Sequence, residues 1–189
     1  MATNCDITKG RIEPCKSSVG GVHTIYYMNW DSGVVVTLDP ETDAITDITE
    51  EDSTTGVTLY KWPVKLATNL TETPTVSIEN GTAFWEQVLT ATFKKLDAVT
   101  RKELKLMTYG KMRAIIADNA GNSLYIGKDF GIDVSGGSIV TGSNMEDLSG
   151  YTLIQTGREP EPALMLDGST LADPFAGLTI PPIIIDGTV

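Results

Sequence analysis

Residues 75–96 read TVSIENGTAFWEQVLTATFKKL, and this stretch decides the fold. Asn80-Gly81 between two β-rich arms is the strongest short-range hairpin signal, because both residues tolerate the positive φ of a two-residue turn. In the second arm, predicted over Thr82–Leu96, Trp85, Leu89, Ala91 and Phe93 fall on one face. Glu86, Thr90, Thr92 and Lys94 fall on the other. A period of two with one apolar face describes a strand lying on a core.

Upstream, Val22–Trp30 (VHTIYYMNW) is rich in β-branched and aromatic residues and reads as a strand. Asp31-Ser32-Gly33 turns the chain, so Val34–Leu38 is expected to return as its partner. Val57–Trp62 and Val64–Leu70 read as strands broken by Pro63, a residue suited to an edge or a bend. Downstream comes one helix. Asp97 can cap it, Ala98–Tyr109 sets Val99, Leu104, Leu106 and Met107 against Arg101, Lys102 and Lys105, and Gly110 stops it. Met112–Asp118 and Ser123–Gly127 form a hairpin around residues 119–122. A further hairpin is expected from Ile132–Val134 and Ser138–Thr141 around Ser135-Gly136-Gly137, and Tyr151–Thr156 closes the sheet. The pattern predicts a mainly β chain, a sandwich or barrel with one flanking α-helix, spanning residues 22–162. Extended arms flank it at residues 1–21 and 163–189. The second is Pro-rich and carries Ile183-Ile184-Ile185, too apolar for a frayed tail, and so reads as an arm that orders on a neighbouring subunit.

At 189 residues the chain makes one ordinary domain, able to bury a core without disulfide staples. Cys5 and Cys15 have no further cysteine and only His23 beside them, which is no zinc set; they read as reduced thiols. No stretch approaches the ~18 apolar residues of a membrane span, and the start lacks the basic and apolar regions of a signal peptide. The chain is therefore expected to be made, and to stay, in a cytosol, and the matches Asn69-Leu70-Thr71 and Asn80-Gly81-Thr82 to the glycosylation pattern are idle.

Candidate chemistry is thin. The segment 39–52 holds seven acids and no base: Asp39, Glu41, Asp43, Asp47, Glu50, Glu51 and Asp52. Five of them occupy EF-hand ligand positions, but Ala44 stands where the sharp turn needs Gly, and the preceding residues read as strand, not helix. A projecting acidic loop or hairpin is the better reading. The glycines at 127, 131, 136, 137 and 142 fit no phosphate-binding spacing, and His23 lies in a strand without a nucleophile motif nearby. The sequence therefore assigns no catalytic residue, no metal and no cofactor.

Charge distribution is more telling. There are 25 acidic and 14 basic side chains, a net charge of −11, which disfavours tight wrapping of nucleic acid. Residues 61–128 carry ten of the fourteen bases, while residues 129–189 carry nine acids and only Arg158. Such polarity lets unlike ends of identical molecules attract, and a head-to-tail contact closes into rings or propagates.

The stretch from Cys5-Asp6-Ile7-Thr8 through Glu13-Pro14-Cys15-Lys16 to Val19-Gly20-Gly21 resembles structural proteins of tailed bacteriophages infecting Bacteroidetes. So do Glu79-Asn80-Gly81-Thr82 leading into Trp85-Glu86-Gln87, and Asp147-Leu148-Ser149-Gly150-Tyr151-Thr152-Leu153 with Thr156-Gly157. Within that group the chain is most similar to a tail tube protein. The resemblance implies a virion protein of the tail whose hexameric rings stack into a hollow tube and meet other tail proteins. Loops and terminal arms would bridge the rings, and an acidic lumen would let DNA slide through. It implies a place between rings or on the lumen for the loop 39–52, and between subunits for Ile183-Ile184-Ile185. The C-terminal extension equally fits a tail terminator, a completion protein or a head–tail connector. A competing class is a binding module, such as a capsid-decoration or receptor-binding β-sandwich, which would show an aromatic cluster on rigid loops. Tyr26, Tyr27 and Trp30 lie in a predicted strand instead.

Overall fold

In a computed structural model, residues 7, 9–13, 16, 18–31, 33–52, 54–65 and 67–187 are described. Twelve strands and one helix follow in chain order. They are β1 (Val22–Asn29), β2 (Val35–Leu38), β3 (Ile45–Thr49), β4 (Thr58–Pro63), β5 (Asn69–Ser77) and β6 (Thr82–Lys94). After α1 (Ala98–Tyr109) come β7 (Met112–Asp118), β8 (Ser123–Ile126), β9 (Ile132–Val140), β10 (Gly150–Glu159), β11 (Leu164–Met165) and β12 (Ile183–Asp186). The fold is mainly β, a sandwich with one helix. Ten strands form one sheet in the order β12-β4-β1-β7-β9-β10-β6-β5, with β8 branching from β7 and β11 from β8. β2 and β3 form a second, two-stranded sheet.

The large sheet curls on itself. Trp62 of β4 meets Phe93 of β6 edge-on at 5.1 Å between ring centroids, although four strands separate them in sheet order. The Tyr27 hydroxyl of β1 donates to Gln155 Oε1 of β10 at 2.9 Å across the same interior. Curling encloses a first core, built from Ile25, Tyr27, Ala114 and Ile116 on one side and Leu89, Ala91, Phe93, Tyr151 and Leu153 on the other. Alternate residues of β1 and β7 point the opposite way. Tyr26, Met28, Ile115 and Ala117 enter a second core, closed by Ile45 and Ile48 of β3 and by Leu166 and Phe175 of the C-terminal segment. The β1–β7 wall is thus buried on both faces, which is why VHTIYYMN reads as continuously apolar and aromatic at its centre, not as a simple alternation.

Local chemistry explains where expectation and structure agree. The hairpin marked by Asn80-Gly81 is present, but its turn is the four-residue loop 78–81, in which Gly81 takes a positive φ of 61° and Asn80 does not, so it is not the two-residue turn with both φ positive. Trp85, Leu89, Ala91 and Phe93 share the inward face of β6, joined by buried Gln87. α1 begins where the Asp97 carboxylate accepts from Thr100 N at 2.7 Å and ends at Gly110.

The sheet departs from expectation at four points. β2 pairs with β3, not with β1, because Asp39-Pro40 builds a tight turn of its own. Asp39 Oδ1 accepts from the backbone of Glu41 and Thr42, at 2.7 and 3.0 Å, and Asp43 takes a positive φ of 56°. Both edges of β1 are meanwhile occupied by β4 and β7. Of the strand expected over 64–70, only Asn69 and Leu70 lie in one, as the start of β5. Residues 132–140 form one strand, not a hairpin: Ser135 is an extra residue in the ladder to β10, and the chain runs on. Two residues on, in regular register with Leu153, Gly137 leaves room for the neighbouring strand, because a Cβ there would lie 2.5 Å from Thr152 O. Finally, β10 lies inside the sheet, between β9 and β6.

The segment from 163 onward packs on its own chain. β11 pairs with β8, Leu166 and Phe175 are buried, and β12 runs parallel to β4. Ala163 N donates to Glu72 Oε1 at 2.7 Å, which also accepts from Gln87 Nε2 at 3.1 Å. At the other end Ile7 and Ile12 are almost fully exposed, and among the described residues the first hydrogen bonds to the body of the fold are at Gly20 and Gly21, whose carbonyls accept from Asn119. Cys5 and Cys15 lie outside the described residues.

Candidate assembly interface

The acidic segment divides into acids that shape it and acids that face water. Asp39 holds the β2–β3 turn, and Asp52 accepts from Thr54 N, Thr55 N and Thr55 Oγ1 at 3.0, 3.0 and 2.8 Å. These hydrogen bonds favour the charged form: Asp39 sits below the ordinary carboxylate range, and Asp52 is pulled down to about 2. Asp47 accepts from its neighbour Ile48 N at 3.0 Å and from Ile180 N at 3.3 Å, so it ties β3 to the C-terminal segment. Glu41, Asp43, Glu50 and Glu51 are exposed, and among the described residues none of them is in an ion pair. Behind this charged rim Ile45 and Ile48 are completely buried. The segment is therefore a hairpin seated on the second core with its acids on the rim. Among the described residues no group of three His, Cys, Asp or Glu side chains is placed to hold a metal ion.

Ile183, Ile184 and Ile185 form the exposed outer strand of the sheet. They are 52, 43 and 44% exposed, although their backbone is paired to β4. Ile183 N donates to Val57 O at 2.9 Å, and Lys61 Nζ lies 3.0 Å from Asp186 Oδ1. That carboxylate raises the lysine pKa, chiefly through the hydrogen bond. Among the described residues β12 pairs only with β4, and β5 at the opposite margin pairs only with β6. Both outer edges offer unpaired N–H and C=O groups, the template for adding another strand. The acidic rim and the Ile triplet are connected through the C-terminal segment: Thr179 N donates to Thr46 O at 3.3 Å.

Four buried polar groups escaped the sequence reading. Glu159 is 3% exposed, and its carboxylate accepts from the backbone of Asp129, Phe130 and Gly131 at 2.9 to 3.1 Å. Burial pushes its pKa up against the opposing pull of those three N–H groups. Arg113, also buried, donates to the carbonyls of Lys128 and Asp31 and stacks on Trp30 with its guanidinium 4.1 Å from the ring centroid. Together they pin the 127–131 loop and the end of β1. Gln87 and Gln155 lie in the first core, where Gln87 Oε1 accepts from Gly127 N at 3.1 Å. No local spacing announces such groups, because each partner is remote in sequence. His23 is half-buried with Nδ1 3.0 Å from Ala117 O. Among the described residues no helix is long and apolar enough to cross a membrane.

Comparison with protein-family models, with curated proteins and with solved structures gave no match.

Proposed function

We propose that this chain is a virion structural protein whose copies form stacked rings, the tube of a bacteriophage tail, with DNA passing through an electronegative bore. The observation that carries the reading is the pair of open strand edges, β5 and β12, at opposite margins of one curled sheet. Edges of this kind are liabilities on a free molecule and become assets when identical copies pair side by side. The exposed Ile183, Ile184 and Ile185 would gain burial in the same step. An acidic rim at Glu41, Asp43, Glu50, Glu51 and Asp52 suits either a bore or a ring-to-ring contact. On a bore it repels phosphate over roughly one Debye length, ~8 Å at physiological salt, so the duplex stays mobile. The reading needs no catalytic residue and no cofactor. Its partners are further copies of the chain and other tail proteins, its place is the tail of the virion, and a membrane has no part in it.

A single-ring protein, such as a tail terminator, completion protein or head–tail connector, is favoured by one observation. The segment 163–187 is seated on its own chain and so does not itself reach out to bridge successive rings. Electron microscopy of the purified protein at high concentration separates the readings. Tubes or stacked annuli are expected. Isolated rings would transfer the assignment to a terminator or connector, and compact particles at every concentration would overturn both in favour of a lone binding module.

A further inference from the structure

Exposed Lys94, Lys95, Arg101, Lys102, Lys105 and Lys111 lie on or directly beside α1, and among the described residues none is in an ion pair. Val99, Lys102, Leu106 and Tyr109 are three, four and three residues apart and so share one outward face of the helix. On that face Val99, Leu106 and Tyr109 are 61, 55 and 81% exposed, while Leu104 alone is buried on the inner side. A helix whose outer face mixes bare apolar groups with cations has a surface left to cover.

Beside it runs an open groove of about 610 Å³. One wall is α1, with Arg101, Lys105 and Thr108; the other is residues 134–139 of β9. β9 is paired with β10 along its length but with β7 only at Met112–Ile132. Beyond that point its other edge has no strand partner among the described residues. The groove therefore offers cations, apolar surface at exposed Ile139 and an unpaired strand edge in one place.

We propose that this groove and the outer face of α1 receive the acidic β2–β3 hairpin of a second copy of the chain. The inference rests on the self-assembly reading above and names the two surfaces that meet. The hairpin carries what the groove lacks: exposed Glu41, Asp43, Glu50 and Glu51, and in β2 a strand paired only with β3 among the described residues. Charge complementarity selects the occupant, and strand pairing sets its direction. The contact cannot form within one molecule, because the hairpin packs on the second core and α1 on the first, on opposite sides of the β1–β7 wall. It joins unlike surfaces of two copies and so propagates into rings or filaments. A nucleic acid is the poorer occupant: three bare apolar groups interrupt the cations, and the chain as a whole carries a net charge of −11.

Two measurements test this. Benzoylphenylalanine in place of Leu106 is irradiated in a mixture of isotope-labelled and unlabelled protein at high concentration, with and without a DNA duplex. Cross-linked peptides are then mapped by mass spectrometry. Links from position 106 of one copy to residues 39–52 of another are expected. Rings or tubes whose links map elsewhere overturn this contact and leave the assembly reading standing, links to DNA instead assign the groove to nucleic acid, and the absence of both links and assemblies overturns both. In the second, Lys102→Glu with Lys105→Glu, and separately Glu41→Lys with Glu50→Lys, should each weaken self-association about tenfold or more by sedimentation velocity. An unchanged circular-dichroism spectrum would show that each still folds. Mixing the two reversed proteins should restore association to within about threefold of the original. Association of either reversed protein at the original strength, or failure of the mixture to recover, overturns the proposal.

Discussion

The β2–β3 hairpin and helix α1 lie on opposite sides of the same two-strand wall, and the acidic one is the better buried. The hairpin carries seven acids in fourteen residues, yet it seals Ile45 and Ile48 completely. The helix is flanked by cations, buries only Leu104 and leaves three large apolar groups in water. Composition alone would have ranked them the other way. The hairpin's charge sits on its turn and rim, where carboxylates close the backbone, and its β-branched residues are left to face the core. The helix has a well-made N-cap at Asp97 and a poor interface, so its formation is local and its packing is incomplete.

This contrast is most exposed to truncation. Ile48→Ala removes a fully buried side chain from the second core and should cost about 3–4 kcal/mol, read as a lowered urea midpoint at unchanged slope. Leu104→Ala should cost less, about 2 kcal/mol, since Leu104 is 7% exposed where Ile48 is fully buried, and a loosely seated helix can close over the gap. A larger loss at Leu104 than at Ile48 would break the comparison. Leu106→Ala, on the exposed face, should stay within about 0.5 kcal/mol in the monomer. A substantial loss there would mean that the outer face already has a partner within the molecule.

Capping gives the next effect in size. Asp97 accepts from Thr100 N, and its own backbone is clasped by the Tyr151 hydroxyl, which accepts from Asp97 N at 3.2 Å and donates to Asp97 O at 3.0 Å. Asp97→Ala should lower the thermal or urea midpoint by less than either core truncation, and helical circular dichroism should fray before the β signal moves. If both signals fall together, the helix is coupled to the sandwich more tightly than its single buried residue implies.

Local rules made much of this fold legible. The 78–81 turn, the alternation of β6 and the bounds of α1 each depend on residues within a few positions of one another, and the sequence carried them. Pairing across long distances was less readable. Val34–Leu38 looked like the return of β1 because a turn follows Asn29. The tighter signal was Asp39-Pro40, whose turn captures β2 for β3. Ser135-Gly136-Gly137 reads as a turn, and only the pairing to β10 shows that the chain runs on with Ser135 as an extra residue. The C-terminal triplet was seen as apolar and in need of cover, but its docking on β4 depends on Gly56, where a Cβ would lie 2.2 Å from Pro181 O. The acidic and basic surfaces were visible as composition. Their placement on opposite sides of the wall was not, because it follows from which face of β1 each element covers.

The smallest effect is also the one that separates the hairpin from the loop held by Glu159. Asp52 in the hairpin and Asp97 at the helix are exposed carboxylates and Asp39 is a partly buried one, all three held below their ordinary value by hydrogen bonds from backbone N–H groups and hydroxyls. A folded pKa below the unfolded one means stability that is present above about 3.8 and lost as pH falls through the folded value, about 2 for Asp52. Glu159 has the opposite sign. Burial raises its pKa above 4.5, so the folded state takes up a proton before the unfolded state does. Stability rises as pH falls through that folded value toward 4.5 and is lost again as pH increases. The two signs give a stability profile with a maximum in weak acid. Glu159→Gln should flatten the limb above the maximum and leave the lower limb in place, while Asp52→Asn should make the lower limb shallower and leave the upper one alone. Urea midpoints from pH 2 to 7 measure both. A wild-type profile that falls steadily from pH 6 to pH 4 would show that the three N–H groups around Glu159 outweigh its burial.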